Sequence, residues 1–306
     1  MRYVVTGATG FIGAEFILTL LNAGNTVYAI GRNETKARTI LPVSDSLNFV
    51  KAELSEFKDL DSKIPEADVF VNFAWDGITV SGRDMTDVQK LNIQYAKEAM
   101  KAAKRMGCSL FVETGSQAEY GIVNEVISED TPCNPFSEYG KAKLKVKECG
   151  FQFSEKYNLK YMHLRIFSMI GENDHPWTLV MSALDKMLAN ESIDLSTCTQ
   201  NWNFIYVKDA VRIIVRLCEN AIINENFLHE VYNIASNDTR VLKCFVERMK
   251  ELTCSSSRLN YGVNIPNKIV SLQPNITKSI KDSGFDDFHN FDEVINRIIE
   301  NKRQYD

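Results

Sequence analysis

Apolar residues in this chain fall into short runs, separated by stretches in which they recur every three or four positions. The runs at Tyr3-Val4-Val5, Asn25 to Ile30, Asn48 to Lys51, Asp68 to Asn72, Ser109 to Glu113 and Lys160 to Arg165 read as strands. Between them, Phe11 to Ala23 and Met85 to Met106 read as helices. The second carries Val88, Leu91, Ala96, Ala99, Met100 and Ala103 at helical spacing and stops near Gly107. Strands alternating with helices in this way predict an α/β fold with a parallel, doubly wound sheet. After Phe167 the rhythm breaks. A loop runs through Trp177, a helix covers Thr178 to Leu188, and a polar stretch reaches Asn201-Trp202-Asn203. Phe204 to Val207 then reads as a strand and Lys208 to Asn220 as a helix returning to the main sheet. Short helices, Leu242 to Leu252 and Phe291 to Asn301, alternate with loops toward the end. The pattern divides the chain into residues 1–167, joined by 204–220, and a smaller lobe made by 168–306.

Composition narrows the class. The 306 residues are 44% hydrophobic and 25% charged, enough apolar material for one large core with a smaller lobe. Net charge is −5, so no nucleic-acid partner is expected. The Lys141, Lys143, Lys145, Lys147 alternation is read in part as a solvated helix face. Seven cysteines, an odd number without a C-x-x-C pair and with no histidine at ligand spacing, point to reduced thiols, no metal site and a cytoplasmic protein. The chain opens in a core strand without a signal-peptide pattern. No apolar run reaches the ~18 residues of a membrane span, so no membrane partner is expected either.

Chemistry enters at the first turn. The strand ending at Thr6 runs into Gly7, Gly10 and Gly13, and the helix after them aims its N-terminal N–H groups and positive dipole end at an anion. Gly7 permits the tight turn, Gly10 lets the backbone approach a pyrophosphate, and Gly13 lets the helix pack on its strand. The second strand ends in Gly31-Arg32-Asn33, without the acid that accepts hydrogen bonds from the ribose 2′-hydroxyl of NAD. Arg32 offers a planar, permanently charged fork suited to a 2′-phosphate, or is an exposed turn residue. Further on, Ser137 to Lys143 places Tyr139 and Lys143 at i and i+4 of a helix, one face apart by a single turn. Of the eleven tyrosines only Tyr139 has a lysine four positions on. A neighbouring cation favours the ionised phenol and suits it to acid/base work.

Taken together, Thr6 to Gly13, the Ala74 turn, Ser116 followed by Tyr120-Gly121, Tyr139 with Lys143, and the Leu164 to Phe167 strand end resemble an extended short-chain dehydrogenase/reductase. That is the sugar-nucleotide epimerase/dehydratase family, and the likeness spans essentially the whole chain. It implies a Rossmann-type sheet with a C-terminal substrate-binding lobe. It implies Tyr139 as acid/base, Lys143 as the group that lowers its pKa and bonds the nicotinamide ribose, and Ser116 as the group orienting the reacting oxygen. The cofactor set it implies is Gly7, Thr9, Gly10, Phe11, Ile12, Gly13, Arg32, Glu53, Leu54, Phe73, Ala74, Trp75, Thr114, Tyr139, Lys143, Ile166 and Phe167. Asn92 matches a frequent family asparagine or is simply a polar helix residue. On the substrate side stand Trp75, Ser116, Gln117, Ser168, His175, Trp177 and Asn203. Trp75 and Trp177 wall in a sugar or plug the lobe junction, His175 donates to the sugar or to backbone, and His163 is read as structural. Family members often grip the diphosphate with an arginine before the returning strand. Gln200 to Asn203 holds none, leaving Arg240 and Arg258 as substitutes.

The resemblance also separates members. Dehydratases of the family carry an acidic pair right after the active-site hydroxyl, and here those positions are Gln117 and Ala118, neither able to serve as acid or base. Epimerising reductases use a cysteine near Ala118. Two enzymatic readings remain: NADPH-dependent reduction of the C4 keto group of a CDP- or dTDP-linked 4-keto-6-deoxyhexose in deoxysugar and lipopolysaccharide biosynthesis, and an NAD-dependent nucleotide-sugar 4-epimerase. Arg32 favours NADP, with NAD the alternative. The segments Phe73 to Gly77, Gly115 to Gly121 and Gly171 to Trp177 also look similar to the reductases that make CDP-abequose or CDP-paratose. A non-catalytic NADP-sensing module is the remaining class, opposed by the presence of Tyr139, Lys143 and Ser116. A nucleotide-diphosphate sugar is the expected substrate partner, and the family's habit of pairing through the helices after the fourth and fifth strands implies a homodimer.

Overall fold

The computed structural model describes residues 1–79, 81–264 and 268–305. In chain order the elements are β1 (Arg2–Thr6), α1 (Phe11–Asn22), β2 (Thr26–Gly31), α2 (Glu34–Ile40), β3 (Leu47–Lys51), α3 (Leu60–Lys63), β4 (Val69–Asn72), α4 (Thr86–Arg105), β5 (Leu110–Ser116), α5 (Glu138–Tyr157) and β6 (Lys160–Ile166). There follow β7 (Ser168–Ile170), α6 (Leu179–Leu188), β8 (Ile193–Asp194), β9 (Asn201–Tyr206), α7 (Val207–Ile223), β10 (His229–Ile234), β11 (Thr239–Val241), α8 (Leu242–Leu252), β12 (Leu259–Asn260), α9 (Thr277–Ser283) and α10 (Phe291–Tyr305).

Among the described residues, seven strands form one parallel sheet in the order β10-β6-β5-β4-β1-β2-β3. Because helices cover both faces, the central strands are buried on both sides rather than on one, and every residue of β4 is buried. Side chains still divide by parity. Tyr3, Val5, Val69, Val71, Leu110 and Val112 pack with Phe16, Ile17 and Leu20 of α1 and with Ile213, Ile214 and Leu217 of α7. Val4, Phe70, Phe111 and Tyr161 meet Ala96, Ala99, Met100 and Ala103 of α4 and Val146 of α5 on the opposite face. Each of the larger aliphatic and phenylalanine side chains contributes roughly 1.5–3 kcal/mol relative to exposure. The point where the strand order reverses lies between β1 and β4, and the carboxyl ends of those strands open a crevice there.

Two predicted placements change. Phe204 to Tyr206 belongs to β9, which pairs with β7 and β11 in a separate three-stranded sheet, so only α7 returns to the main sheet from that stretch. The edge strand beside β6 is β10, a run at His229–Ile234 that falls outside the 204–220 segment expected to return. Its half-exposed opening, His229 and Glu230, masks the apolar run that follows. The lysine alternation is also resolved: Lys141 and Lys145 are exposed on α5 while Lys143 is buried, as a 3.6-residue period requires. No helix among the described residues is long and apolar enough to cross a membrane.

Candidate active site

The glycine turn is held by contacts that leave no room for side chains. Gly7 adopts φ +65°, and a Cβ there would stand 3.0 Å from the Phe73 and Ala74 backbone. Gly10 N donates to Gly7 O at 2.9 Å, and a Cβ on Gly13 would lie 2.3 Å from that same carbonyl oxygen. As N-cap of α1, Gly10 brings no side-chain acceptor, so the first-turn N–H groups remain for a ligand. Gly7, Thr9, Gly10, Phe11, Ile12 and Gly13 line a cavity of about 790 Å³. A backbone cradle backed by an uncapped helix N-terminus fits the pyrophosphate of a nicotinamide dinucleotide.

At one end of this cavity stand Arg32, Glu53 and Leu54, at its middle Phe73, Ala74 and Trp75, and at the other end Thr114, Ser116, Gln117, Tyr139, Lys143, Ile166, Phe167, Ser168, His175 and Trp177. The topology explains most of the convergence, since these groups sit at or just beyond the carboxyl end of a parallel strand or on the first turns of α5, while His175 and Trp177 arrive on the loop between β7 and α6. Ser137 caps α5 by accepting from Gly140 N at 3.0 Å, which sets Tyr139 and Lys143 facing the cavity. Ser116 Oγ accepts from Ala118 N at 3.1 Å, leaving its hydroxyl hydrogen for another acceptor. His175 and Trp177 stack at 4.3 Å, with Trp177 largely exposed at the rim.

The electrostatics depart from expectation at Tyr139. Lys143 Nζ donates to Thr114 O at 2.6 Å and lies 3.4 Å from the Trp75 ring centroid, while the Tyr139 ring centroid is 5.8 Å away. Arg83 is nearer to that ring, at 5.1 Å. Burial holds the Tyr139 phenol above its ordinary value, and the groups pulling it down are Arg83 and the Ser116 hydroxyl rather than Lys143. Beneath the site, Glu119 accepts from Ser116 N at 2.8 Å, Arg165 Nε at 2.9 Å and pairs with His163 Nε2 at 2.9 Å. Burial alone would raise this carboxyl, yet His163, Arg165 and the Ser116 N–H outweigh it and bring it to about 2. Burial holds His163 below its usual value, so Arg165 is the charged partner at neutral pH.

Two expected contacts are corrected. Asn203 does not line the cavity: its carboxamide is wholly buried and saturated, donating to Ser236 O, Asp238 O and Thr239 Oγ1 and accepting from Ser236 N. Asn92 also lies off the cavity, accepting from Asp76 N at 3.0 Å and donating to Asp76 O at 2.9 Å. Its neighbour Gln89 accepts from Trp75 Nε1 at 2.9 Å and donates to Gly82 O at 3.0 Å. Polar residues of α4 thus staple the loop that carries Trp75 and Arg83. Arg240 is engaged with Asp238, and neither it nor exposed Arg258 reaches the cavity.

Lining residues that the sequence did not flag include Lys36, Arg83 and Trp202. Strand alternation contained a signal for Trp202: with Asn203 turned inward, residues 202 and 204 share the other face, and both line the cavity. Lys36, one turn into α2 beyond Arg32, was legible as a second cation near the tip of β2. Arg83 arrives on a loop without periodic pattern and had no such signal.

Comparison with known proteins agrees with this geometry. A CDP-abequose synthase of Yersinia pseudotuberculosis is 25% identical over 254 residues, covering 82% of this chain and 85% of that protein. A dTDP-6-deoxy-L-talose 4-dehydrogenase (NAD(+)) of Aggregatibacter actinomycetemcomitans is 25% identical over 254 residues, covering 81% of this chain and 88% of its own. The fold is shared with a UDP-glucuronic acid 4-epimerase from Bacillus cereus solved with UDP-glucuronic acid and NAD, at TM-score 0.88 and 20% identity over 100% of both chains. Residues 3–235 match the NAD dependent epimerase/dehydratase family, and the chain belongs to that family as an enzyme of the extended short-chain dehydrogenase/reductase kind.

Proposed function

We propose that this protein uses NADPH to reduce the C4 keto group of a nucleotide-diphospho-4-keto-6-deoxyhexose, CDP- or dTDP-linked. The observation that carries the reading is that Ser116 and Tyr139 line the same cavity as the glycine turn, while Gln117 and Ala118 follow Ser116 where an elimination chemistry needs acids. The named relatives, a CDP-abequose synthase and a dTDP-6-deoxy-L-talose 4-dehydrogenase, support chemistry at a single carbon of such sugars.

The reduced nicotinamide, when bound, supplies the hydride for the carbonyl carbon. Tyr139 gives its proton to the carbonyl oxygen, and the Ser116 hydroxyl, which otherwise donates to the phenol, steadies the charge that develops there. Lys143 would hold the nicotinamide ribose, and Arg83, 5.1 Å from the Tyr139 ring centroid, keeps positive charge beside the phenol. Arg32 and Lys36, both exposed at one end of the cavity, favour a cofactor with a 2′-phosphate. Trp75, Gln117, Ser168, His175, Trp177 and Trp202 surround the space left for the sugar and its nucleotide. Self-association through α4 and α5 is part of the same proposal.

The second reading, a 4-epimerase with retained NAD, is favoured by the fold shared with NAD-bound 4-epimerases. Mixing the protein with NADPH or NADH and a panel of CDP-, dTDP-, GDP- and UDP-4-keto-6-deoxyhexoses separates the two. Loss of reduced-nicotinamide absorbance with NADPH and one nucleotide supports the reductase. No consumption with any sugar, together with NAD(H) released on denaturation, supports the epimerase.

A further inference from the structure

Glu113 is a buried acid that neither the glycine turn nor the Ser116 and Tyr139 pair uses. It sits on β5 opposite Asn72 of β4 and His163 of β6, with no exposed surface. Its two oxygens have different surroundings. Oε2 accepts from Asn72 Nδ2 at 2.8 Å, whereas Oε1 is buried with no hydrogen-bond partner among the described residues and lies 3.9 Å from Lys143 Nζ.

The hydrogen bonds leading to this carboxyl all point one way. Ala74 N donates to Thr6 Oγ1 at 3.1 Å, Thr6 Oγ1 donates to Asn72 Oδ1 at 2.6 Å, and Asn72 Nδ2 donates to Glu113. The line of donors ends on an oxygen that accepts, and an ionised carboxylate accepts at both of its oxygens. A protonated Glu113 would aim an O–H from Oε1 at an ammonium that has only donors.

Lys143 is equally dependent on the acid. One N–H goes to Thr114 O, and the Trp75 face covers the ammonium. The other groups facing the pair are Glu119 after β5, Tyr139 on α5, and Tyr161 and His163 on β6. Burial keeps both phenols protonated and the imidazole neutral at pH 7, and Glu119 already accepts from Arg165. Burial drives Lys143 down to about 8 and Glu113 up to about 7, each opposed by the charge of the other.

We propose that Glu113 is a positioning residue, the buried counter-ion that keeps Lys143 charged and in place, anchored through Asn72 to Thr6 where the glycine turn begins. Its kinetic consequence rests on the proposed reading of the site, in which turnover requires the ammonium. Glu113→Gln preserves shape and removes charge. An opposite charge within ~4–6 Å holds a pKa by a unit or more, so the alkaline side of the kcat/KM profile retreats. The activity ratio between about pH 6.5 and pH 9 then rises tenfold or more over that of the native chain. An equal loss at every pH means that the carboxyl only fills space and overturns the proposal. Thermal melting tests the pair without any substrate. At about pH 8 Lys143→Met leaves Glu113 without its cation, and Lys143→Met/Glu113→Gln is expected to melt higher than Lys143→Met alone. A double variant that melts lower overturns the pairing, whether or not a sugar is turned over and whether or not Glu113→Gln folds by itself.

Discussion

The Lys143 ammonium lies on the face of Trp75, 3.4 Å from the ring centroid, and the indole edge in turn meets the Tyr139 ring at 6.0 Å. A cation against a desolvated indole face is stabilised by ~2 kcal/mol or more. Trp75 therefore fixes where the lysine stands, and its own orientation comes from Gln89. Trp75→Ala is expected to lower kcat/KM by roughly ten- to thirtyfold, with Trp75→Phe in between because it keeps a ring but loses the Gln89 bond. Steady-state rates for both variants check this; an alanine variant as active as the native chain would show that the stacking holds nothing.

Tyr139 is the one phenol in the cavity beside Ser116 among the described residues. Removing its hydroxyl takes away the proton donor and leaves the ring contacts with Trp75 and Arg83. Tyr139→Phe should bind cofactor as before and lose turnover by ~10²–10⁴-fold. Cofactor titration by fluorescence alongside the rate assay separates the two effects, and near-normal turnover would remove Tyr139 from the chemistry.

Arg32 and Lys36 are exposed at the cavity end expected to take the adenosine ribose, and Arg32 has no hydrogen-bond partner among the described residues. A charged hydrogen bond to a 2′-phosphate contributes ~1.5–3 kcal/mol, about ten- to a hundredfold in affinity. Arg32→Ala should lower the NADPH to NADH ratio of kcat/KM by that factor and leave NADH little changed. A ratio that does not move would mean that the native chain does not read the 2′ position.

How much of this the sequence revealed follows from the range of the forces involved. The glycine turn, the parallel sheet and the Tyr139 and Lys143 pair depend on local spacing, and they were legible because φ at Gly7 and one turn of α5 are local properties. Asn203 misled because a polar residue at a lobe junction reads as a ligand contact, whereas its partners lie 33 to 36 positions on and saturate it. Lys143 was legible only in part. Helical spacing places it one turn from Tyr139, but its ammonium is directed by Thr114 O, Trp75 and Glu113, which come from two other strand ends. Edge strand β10 was missed because its pairing with β6 spans almost 70 residues, about 229 against 161.

If Asn203 is a staple between β9 and the segment at Ser236 to Thr239, its loss acts on folding. Asn203→Ala leaves the Ser236 N–H and several acceptors buried without partners, at ~1–3 kcal/mol for each group left unmade. Melting temperature should fall clearly while KM for the sugar, measured well below the transition, stays within about twofold. A large rise in KM with unchanged melting would return Asn203 to the substrate site.

Acid should loosen the base of the site through Glu119. The carboxyl stands at about 2 in the folded chain against an ordinary 4.5: burial pushes it up, and His163, Arg165 and the Ser116 N–H more than reverse that. A lowered carboxyl pKa means that the unfolded chain binds more protons between these two values. Glu119 therefore contributes fully above about pH 4.5 and its contribution is lost as pH falls through about 2. His163, held low by burial, acts in the same direction at higher pH, since its unfolded form takes up a proton first as pH falls. Glu119→Gln should thus melt well below the native chain at pH 7, and the gap should close progressively between pH 5 and 3. Exposed pairs such as Arg38 with Glu34 remain in both proteins and cancel in the comparison. A gap that stays constant down to pH 3 would mean that Glu119 contributes shape and not charge, and that Ser116 is held by packing alone.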